Sequence, residues 1–253
     1  MDLGLSGKKA IITGSTRGIG RAIANLLADE GVDLAICSRN QKEVDTAIAE
    51  LSARGVKVYG AVVDVADRDA YQAWITSMGN KLGGIDIFVP NVSAGGGDMS
   101  EQGWLNNFNI DMLGTTRGVE AAMPFLEKSK AAAIVVISST AGVETFMGPA
   151  PYNAIKGALI VHAKQLSQAL APAGIRVNCV SPGPVYIEGG AWEFIKNNMA
   201  ELYNSTLAQI PQGRMGTAQE IANAVAFLAS PAASLITGVN LVADGGFTKR
   251  VQL

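Results

Sequence analysis

The stretch KKAIITGSTRGIG, residues 8–20, decides the fold. A short run of mainly apolar residues leads into three glycines, Gly14, Gly18 and Gly20, and the amphipathic segment GRAIANLLADEG (residues 20–31) follows at once. Glycines so placed permit a tight turn, close approach of the backbone to a diphosphate and close packing of a helix whose N-terminus faces the anion. The spacing is G-x-x-x-G-x-G and not G-x-G-x-x-G, but its place between strand and helix predicts a nucleotide-binding turn.

The rest of the chain repeats this alternation of strand and helix. Further buried strands are predicted at 33–37, 56–63, 85–89, 132–138, 175–180 and 239–243. Helical patterns lie between them at 41–55, 68–83, around 104–128, 152–171 and 218–229. Strands that are apolar throughout and alternate with helices indicate a doubly wound α/β domain, a parallel sheet of about seven strands with helices on both faces. We expect one domain over residues 1–253, with a substrate lid around 186–216, where the sequence is least regular.

Composition and charge exclude several functional classes. Apolar residues make up 48% of the chain and charged residues 17%, which is typical of a globular protein. A net charge of −2 gives no basic surface for nucleic acid, and the longest apolar run, AAAIVVI (131–137), is too short to span a membrane. With one histidine and two distant cysteines no metal site is expected. The N-terminus lacks an apolar signal segment, so we expect a cytoplasmic location.

The second predicted strand ends in CSRN, residues 37–40. An enzyme that selects NAD usually has an acidic residue here to bind the ribose hydroxyls, whereas this chain has Ser38 and Arg39, with Arg17 in the glycine-rich turn. Two guanidiniums and no carboxylate suit a 2′-phosphate, so NADP is favoured and NAD stays open. The alternative is that both arginines are solvated surface residues.

The stretch PAPYNAIKGA, residues 149–158, places a phenol and an amine one helical turn apart. The prolines predict a helix that begins close to Tyr152, and the i, i+4 spacing puts Tyr152 and Lys156 on one face. A phenol is a poor base at neutral pH, but a neighbouring ammonium and the positive end of a helix both favour the phenolate. Ser139 ends the preceding strand, where its hydroxyl can hold a substrate oxygen. Otherwise Tyr152 packs in the core and Lys156 extends to water.

These motifs, in this order, resemble the short-chain dehydrogenase/reductase family, a Rossmann-type fold, and its 3-oxoacyl-reductase-like branch in particular. The resemblance covers essentially the whole length, and Ser139 lies thirteen residues before Tyr152, as in the family. It implies that Tyr152 donates or accepts the substrate proton, that Ser139 orients the substrate oxygen, and that Lys156 favours the phenolate and binds the nicotinamide ribose. It implies cofactor contacts at Gly14, Ser15, Thr16, Arg17, Gly18, Ile19, Gly20, Ser38, Arg39, Asp64, Val65, Asn91, Tyr152, Lys156, Pro182, Gly183 and Val185.

The same resemblance implies an oxidoreductase that transfers a hydride between NADP(H) and a small carbonyl or secondary-alcohol substrate, and a homotetramer or homodimer. Two alternatives are a dinucleotide-binding, redox-responsive interaction module with little turnover, and a lyase or dehalogenase on the same scaffold. The intact Ser139, Tyr152 and Lys156 favour the oxidoreductase.

Four positions depart from the family pattern. PNVS (90–93) replaces N-N-A-G, so that Asn91 alone survives, and Ile155 and Ile187 replace the usual serine and threonine. The fourth departure is Asp111, where the family has a catalytic asparagine whose backbone carbonyl holds a water. That carbonyl survives the change, and we expect the new carboxylate to pair with the amine of Lys156.

Five apolar residues of the lid leave two interpretations open. They line a substrate pocket, or they are ordinary core at helical spacing. They are Trp192, Phe194, Met199, Leu202 and Tyr203.

Overall fold

Seven strands form one parallel sheet in the computed structural model, which describes residues 2–251. The strands, in chain order, are β1 (Lys9–Thr13), β2 (Asp33–Ser38), β3 (Val58–Val62), β4 (Ile87–Val89), β5 (Ala133–Ile137), β6 (Arg176–Pro182), β7 (Val185–Tyr186), β8 (Gly216–Thr217) and β9 (Asn240–Ala243). The sheet runs β3-β2-β1-β4-β5-β6-β9, and β7 pairs with β8 separately. The order reverses between β1 and β4, which is where ligands bind in such sheets, beyond the carboxyl ends of the strands. The predicted doubly wound fold and its seven strands are confirmed.

Helices cover both faces of the sheet. They are α1 (Gly18–Asp29), α2 (Gln41–Ser52), α3 (Arg68–Leu82), α4 (Glu101–Asn107), α5 (Gly114–Leu126), α6 (Pro151–Leu170), α7 (Ala191–Asn198), α8 (Ala200–Ala208) and α9 (Ala218–Ala229). One core contains buried residues of α1, α2 and α9, and the other contains buried residues of α3, α5 and α6. The sheet therefore separates two apolar layers.

Strand β5 shows why the strands are apolar throughout. All five of its residues are buried. Val135 and Ile137 pack into the core that α1 and α9 share, while Ile134 and Val136 face the core of α3, α5 and α6. Because successive side chains of a strand point to opposite faces, a sheet covered on both sides needs apolar residues at every position.

The helix expected around 104–128 is present over residues 101–126, but it is not one continuous α-helix. Helix α4 ends at Asn107, and a π-helical turn over Phe108–Leu113 separates it from α5. A π turn holds one residue more than an α turn, so it shifts the face that the following helix presents. Its single fully buried residue is Asp111. The spacing of apolar residues in the sequence indicates α4 and α5, but it does not indicate the additional residue of the π turn between them.

Helix α6 begins at Pro151, as the prolines predict, and Ala150 before it is extended with φ of −142°. The turn after β5 packs closely on this helix. A Cβ added to Gly142 would lie 2.4 Å from the backbone nitrogen of Gly157 and 2.5 Å from the carbonyl carbon of Lys156. Only glycine permits this approach, which fixes the turn after Ser139 against the helix that carries Tyr152 and Lys156.

The segment expected to be an irregular lid contains two helices, α7 and α8, and the short β7–β8 pair. It is more regular than its sequence indicates. Within residues 2–251, no helix combines the length and the apolar character needed to cross a membrane.

Substitution of Gly142 by alanine should test the close approach of turn and helix. The new methyl group would meet backbone atoms that cannot move independently, so we expect the free energy of unfolding to fall by about 1–3 kcal/mol in urea denaturation. Gly216→Ala is the matched control, because its nearest neighbour would lie at an ordinary 3.6 Å. Equal stability of the two variants would contradict the packing described here.

Candidate active site

A cavity of about 640 Å³ opens beyond the carboxyl ends of the central strands. The glycine loop, residues 14–20, forms one wall of the cavity, and residues 187–191 at the start of the predicted lid also line it. The cofactor residues predicted from the sequence that line it are Gly14, Thr16, Arg17, Gly18, Ile19, Gly20, Ser38, Arg39, Asp64, Val65 and Asn91. A single cavity thus brings together residues from the ends of four strands.

The glycine loop forms a cradle that side chains would fill. Gly14 and Gly18 have φ of 63° and 58°, in the left-handed region, and a Cβ on Gly20 would lie 2.3 Å from the carbonyl oxygen of Gly14. Asn91 holds the loop from the end of β4, since its Nδ2 donates to the carbonyl of Gly14 at 3.1 Å. The first turn of α1 has no side-chain cap. Its N–H groups and the helix dipole therefore suit the diphosphate of a dinucleotide.

The two arginines predicted to bind a 2′-phosphate stand at one end of this cavity. Arg17 and Arg39 are both exposed. Among the hydrogen bonds and ion pairs of residues 2–251, neither guanidinium takes part in one. Glu43, which was not among the predicted site residues, accepts hydrogen bonds from Thr16 Oγ1 at 2.7 Å and from Ser38 Oγ at 3.3 Å. A carboxylate that does not itself line the cavity thus contacts the part of its wall that carries the two arginines.

Lys156 is buried, with 2% of its surface exposed, and does not extend to water. Its Nζ donates to the carbonyl of Ile137 at 3.1 Å and lies 5.5 Å from the ring centroid of Tyr152. Ser138 fixes the backbone of Lys156, because its hydroxyl donates to that residue's carbonyl at 2.7 Å. The end of β5 thus holds the amine beside the phenol.

Asp111 provides the counter-charge. Its Oδ1 lies 3.0 Å from Lys156 Nζ, and both side chains are almost fully buried. Its Oδ2 accepts from the backbone N–H of Ala94 at 2.7 Å, and its carbonyl accepts from Thr115 Oγ1 at 2.7 Å. Burial alone would lower the pKa of Lys156, but the charges of Asp111 and then Tyr152 outweigh burial and raise it. The amine is therefore held as an ammonium.

Ser139 and Tyr152 both keep a hydroxyl proton free. Ser139 Oγ accepts from the backbone N–H of Ala141 at 3.1 Å. No described residue accepts a proton from Ser139 Oγ or from the phenol of Tyr152. A Cβ on Gly96, which lines the cavity, would lie 3.8 Å from the ring of Tyr152. The phenol therefore adjoins the cavity, although its own atoms do not line it.

Six predicted cofactor residues do not line the cavity: Tyr152 and Lys156, described above, and Ser15, Pro182, Gly183 and Val185. Ser15 is buried and its hydroxyl donates to the carbonyl of Ile12 at 2.8 Å. Pro182 ends β6, Gly183 contacts Asp244 so closely that a Cβ would lie 2.5 Å from that residue's Cβ, and Val185 belongs to β7. Their predicted contacts with a cofactor stay predictions.

An aromatic cluster links the lid to two other segments. Trp192 of α7 lies 6.5 Å from Tyr203 of α8 and 6.2 Å from Phe146, between ring centroids. Phe146 in turn meets Phe247 edge to face at 5.5 Å. Trp192 and Tyr203 were predicted to line a pocket or to belong to the core, whereas Phe146 and Phe247 were not among the predicted site residues. Phe194 and Met199 are exposed, so these two do not form ordinary core.

Asn153 joins this cluster to the catalytic helix. Its Nδ2 donates to the carbonyl of Phe146 at 2.8 Å and to that of Gly148 at 3.1 Å. Since Asn153 follows Tyr152 directly, the loop that carries Phe146 is fixed next to the phenol. The aromatic cluster is therefore tied to the helix that carries Tyr152.

Comparison with known proteins agrees with this arrangement. Residues 14–248 match a family model described as enoyl-(acyl carrier protein) reductase. The chain is 38% identical over 247 residues to isoepoxydon dehydrogenase patN of Penicillium expansum, covering 96% of this chain and 95% of that protein.

Two solved structures show the same fold over nearly the whole chain. L-sorbose reductase from Gluconobacter frateurii, complexed with NADPH and L-sorbose, superposes with a TM-score of 0.90 at 29% identity, covering 99% of this chain and 100% of that one. NAD⁺-bound xylitol dehydrogenase superposes with a TM-score of 0.87 at 27% identity, covering 96% and 99%. With the glycine cradle, the buried lysine beside the tyrosine and these relatives, the chain belongs to the short-chain dehydrogenase/reductase family of nicotinamide-dependent oxidoreductases.

Proposed function

We propose that this protein transfers a hydride between a nicotinamide dinucleotide and a carbonyl or secondary-alcohol substrate through Ser139, Tyr152 and Lys156. The observation that carries the proposal is the ammonium of Lys156, buried beside the ring of Tyr152 with its Nζ 5.5 Å from the centroid. A cation held at this place favours a negative charge on the phenol oxygen, which is what a tyrosine needs in order to take up a proton near neutral pH.

The glycine loop supports the cofactor part of the proposal. Gly20 has no room for a side chain and the first turn of α1 has no side-chain cap, so both fit a bound diphosphate. Bound in this cavity, a nicotinamide ring would supply or accept the hydride. Asp64 and Val65 then flank the adenine base of the cofactor, and Asn91 holds the glycine loop in its conformation by donating to the carbonyl of Gly14.

The two free hydroxyls divide the proton chemistry between them. In the direction of reduction, Ser139 donates a hydrogen bond to the substrate carbonyl oxygen and Tyr152 passes its phenolic proton to that oxygen. In the direction of oxidation, the phenolate of Tyr152 takes the proton of the alcohol. Lys156 stays charged throughout and stabilises the phenolate in either direction.

We assign Asp111 the role of holding Lys156. The carbonyl of Asp111 already accepts a hydrogen bond from Thr115, and its carboxylate bridges the ammonium and the N–H of Ala94. In this chain the residue at the family's asparagine position thus acts through a charge. It reduces the electrostatic effect of Lys156 on the phenol while it fixes the position of the amine.

NADP is the cofactor that we propose is preferred. Arg17 and Arg39 line the cavity at the end of β2, and no acidic residue occupies the last position of that strand. A guanidinium binds phosphate through two parallel hydrogen bonds. The NADPH complex of the sorbose reductase supports this choice, whereas the NAD⁺ complex of the xylitol dehydrogenase shows that relatives also use the other cofactor.

The substrate that we propose is a small carbonyl compound or alcohol. Isoepoxydon, L-sorbose and xylitol appear in the names of the relatives, and all are small molecules. A panel that starts with these three and adds a 3-oxoacyl thioester would find the class by a change in absorbance at 340 nm.

We also propose a cytoplasmic homotetramer or homodimer. Leu235 is 96% exposed and Val161 59% exposed in the isolated chain. Association through these surfaces would cover both side chains.

Substitution of Tyr152 by phenylalanine should separate proton transfer from cofactor binding. Since the variant lacks only the hydroxyl, we expect kcat to fall by a factor of about 100 or more while the Kd for NADPH changes less than about threefold. Stopped-flow absorbance and calorimetry measure the two quantities. Unchanged turnover would refute the role of Tyr152, and NADPH binding without any turnover by the unaltered protein would favour the interaction module instead.

Substitution of Asp111 by asparagine should lower stability without abolishing activity. Removal of one partner of a buried ion pair costs about 3–5 kcal/mol, which thermal unfolding would detect. Asparagine can still accept from Ala94, and loss of the negative charge favours the phenolate of Tyr152. Activity in alcohol oxidation at pH 7 should therefore be preserved or raised. A folded variant that is inactive at every pH would show that the carboxylate has another function.

Substitution of Arg39 by aspartate should shift cofactor preference towards NAD. The variant loses hydrogen bonds from a charged donor to the 2′-phosphate, each worth about 1.5–3 kcal/mol. We expect the Kd for NADPH to rise by at least about tenfold while that for NADH changes little. Equal changes for both cofactors would identify Arg39 as a surface residue.

A further inference from the structure

Glu43 lies where the glycine loop meets the end of β2. It belongs to the first turn of α2, and its Oε2 accepts from Thr16 Oγ1 at 2.7 Å and from Ser38 Oγ at 3.3 Å. Thr16, Ser38, Arg17 and Arg39 all line the 640 Å³ cavity. The carboxylate thus contacts two residues of the cavity wall that the sequence predicts to bind the cofactor.

The usual role of a glutamate at this place in a helix does not explain its position. In a capping box, the glutamate three residues after the cap reaches back to the N–H of the cap residue. Glu220 of α9 does this, with its carboxylate accepting from the N–H of Thr217. In α2 the N–H of Asn40 donates to Ser38 Oγ instead. The carboxylate of Glu43 is therefore directed away from the cap and towards the glycine loop.

The hydrogen bonds of Glu43 decide what the neighbouring hydroxyls can offer a ligand. A serine or threonine hydroxyl has one proton to donate and lone pairs to accept with. Thr16 and Ser38 both give their proton to Glu43, so neither can donate to a phosphate while that contact persists. Both can still accept from a ribose hydroxyl.

The negative charge of Glu43 also disfavours a bound 2′-phosphate. Arg17 and Arg39 attract a 2′-phosphate, and no hydrogen bond or ion pair within the described residues 2–251 joins either of them to Glu43. A carboxylate in contact with two residues of the cavity wall, Thr16 and Ser38, repels a second anion bound against that wall. It repels the additional phosphate of NADP and leaves NAD unaffected, because NAD has a hydroxyl at that position.

We propose that Glu43 is a cofactor-specificity residue that opposes the two arginines, so that the enzyme accepts both NAD(H) and NADP(H) with only a modest preference for NADP(H). This inference rests on the proposed dinucleotide site. Specificity is the difference between two affinities, and Glu43 reduces that difference by weakening the binding of one ligand.

Glu43→Gln tests the proposal without recourse to turnover. Glutamine has nearly the same shape and keeps an oxygen that can accept from Thr16, while the negative charge is gone. Isothermal titration with NADPH and with NADH gives both dissociation constants for each protein. We expect the unaltered protein to bind the two cofactors within about tenfold of one another. In the variant, NADPH should bind about five- to tenfold more tightly and NADH equally well or slightly more weakly.

Glu50→Gln is the matched control. Glu50 is a second glutamate of the same helix, and its carboxylate pairs with Arg21 and not with Thr16 or Ser38 of the cavity wall. Removal of this charge should leave the ratio of the two affinities within about twofold of its original value. The gain in Glu43→Gln should also shrink between 0.05 M and 0.5 M salt, because screening weakens repulsion between exposed charges.

The outcomes are distinct. An unchanged ratio in Glu43→Gln, or the same change in Glu50→Gln, would overturn the specificity role while the dinucleotide site stands. Failure of the unaltered protein to bind either cofactor would overturn the proposed function together with this inference. If thermal unfolding shows that Glu43→Gln does not fold, Glu43→Asp, which withdraws the charge by one methylene, should show a smaller shift of the same sign, and no shift would overturn the role.

Discussion

The burial of one ammonium group governs the arrangement of this site. A buried cation without partners costs several kcal/mol, so Lys156 requires compensation from its surroundings. That compensation comes from three parts of the fold: the carboxylate of Asp111 in the π-helical turn, the carbonyl of Ile137 at the end of β5, and the ring of Tyr152 in the same helix. The sheet, the turn and α6 must all be correctly placed before the amine can be buried. The chemistry of the site and its packing are therefore one constraint.

Much of the fold could be predicted because its signals are local. A strand covered on both faces must be apolar along its whole length, as β5 is, and the prolines before Tyr152 fix the start of α6 within two residues. The glycine loop could be recognised in the sequence for the same reason, since its backbone angles exclude most other residues. These features depend on the chain's own geometry and need no knowledge of distant contacts.

Other features could not be read in this way because distant contacts decide them. The π turn between α4 and α5 lets Asp111 meet a lysine 45 positions further along the chain. Ser15 has the position of a cofactor contact, yet its hydroxyl donates to Ile12. A glutamate in the first turn of a helix ordinarily indicates a cap, so nothing in the sequence of α2 shows that Glu43 contacts Thr16. In each case the sequence shows the residue type but not the residue that it contacts.

The aromatic cluster has a consequence for how such a protein can diverge. Its rings come from the loop before α6, from the lid and from the C-terminal segment, whereas Ser139 follows β5 and Tyr152 and Lys156 belong to α6. Under the proposed function, an exchange of Trp192 or Phe247 would alter the surroundings of a substrate and leave the ammonium and its counter-ion in place. Substrate range and proton transfer could then change independently during evolution.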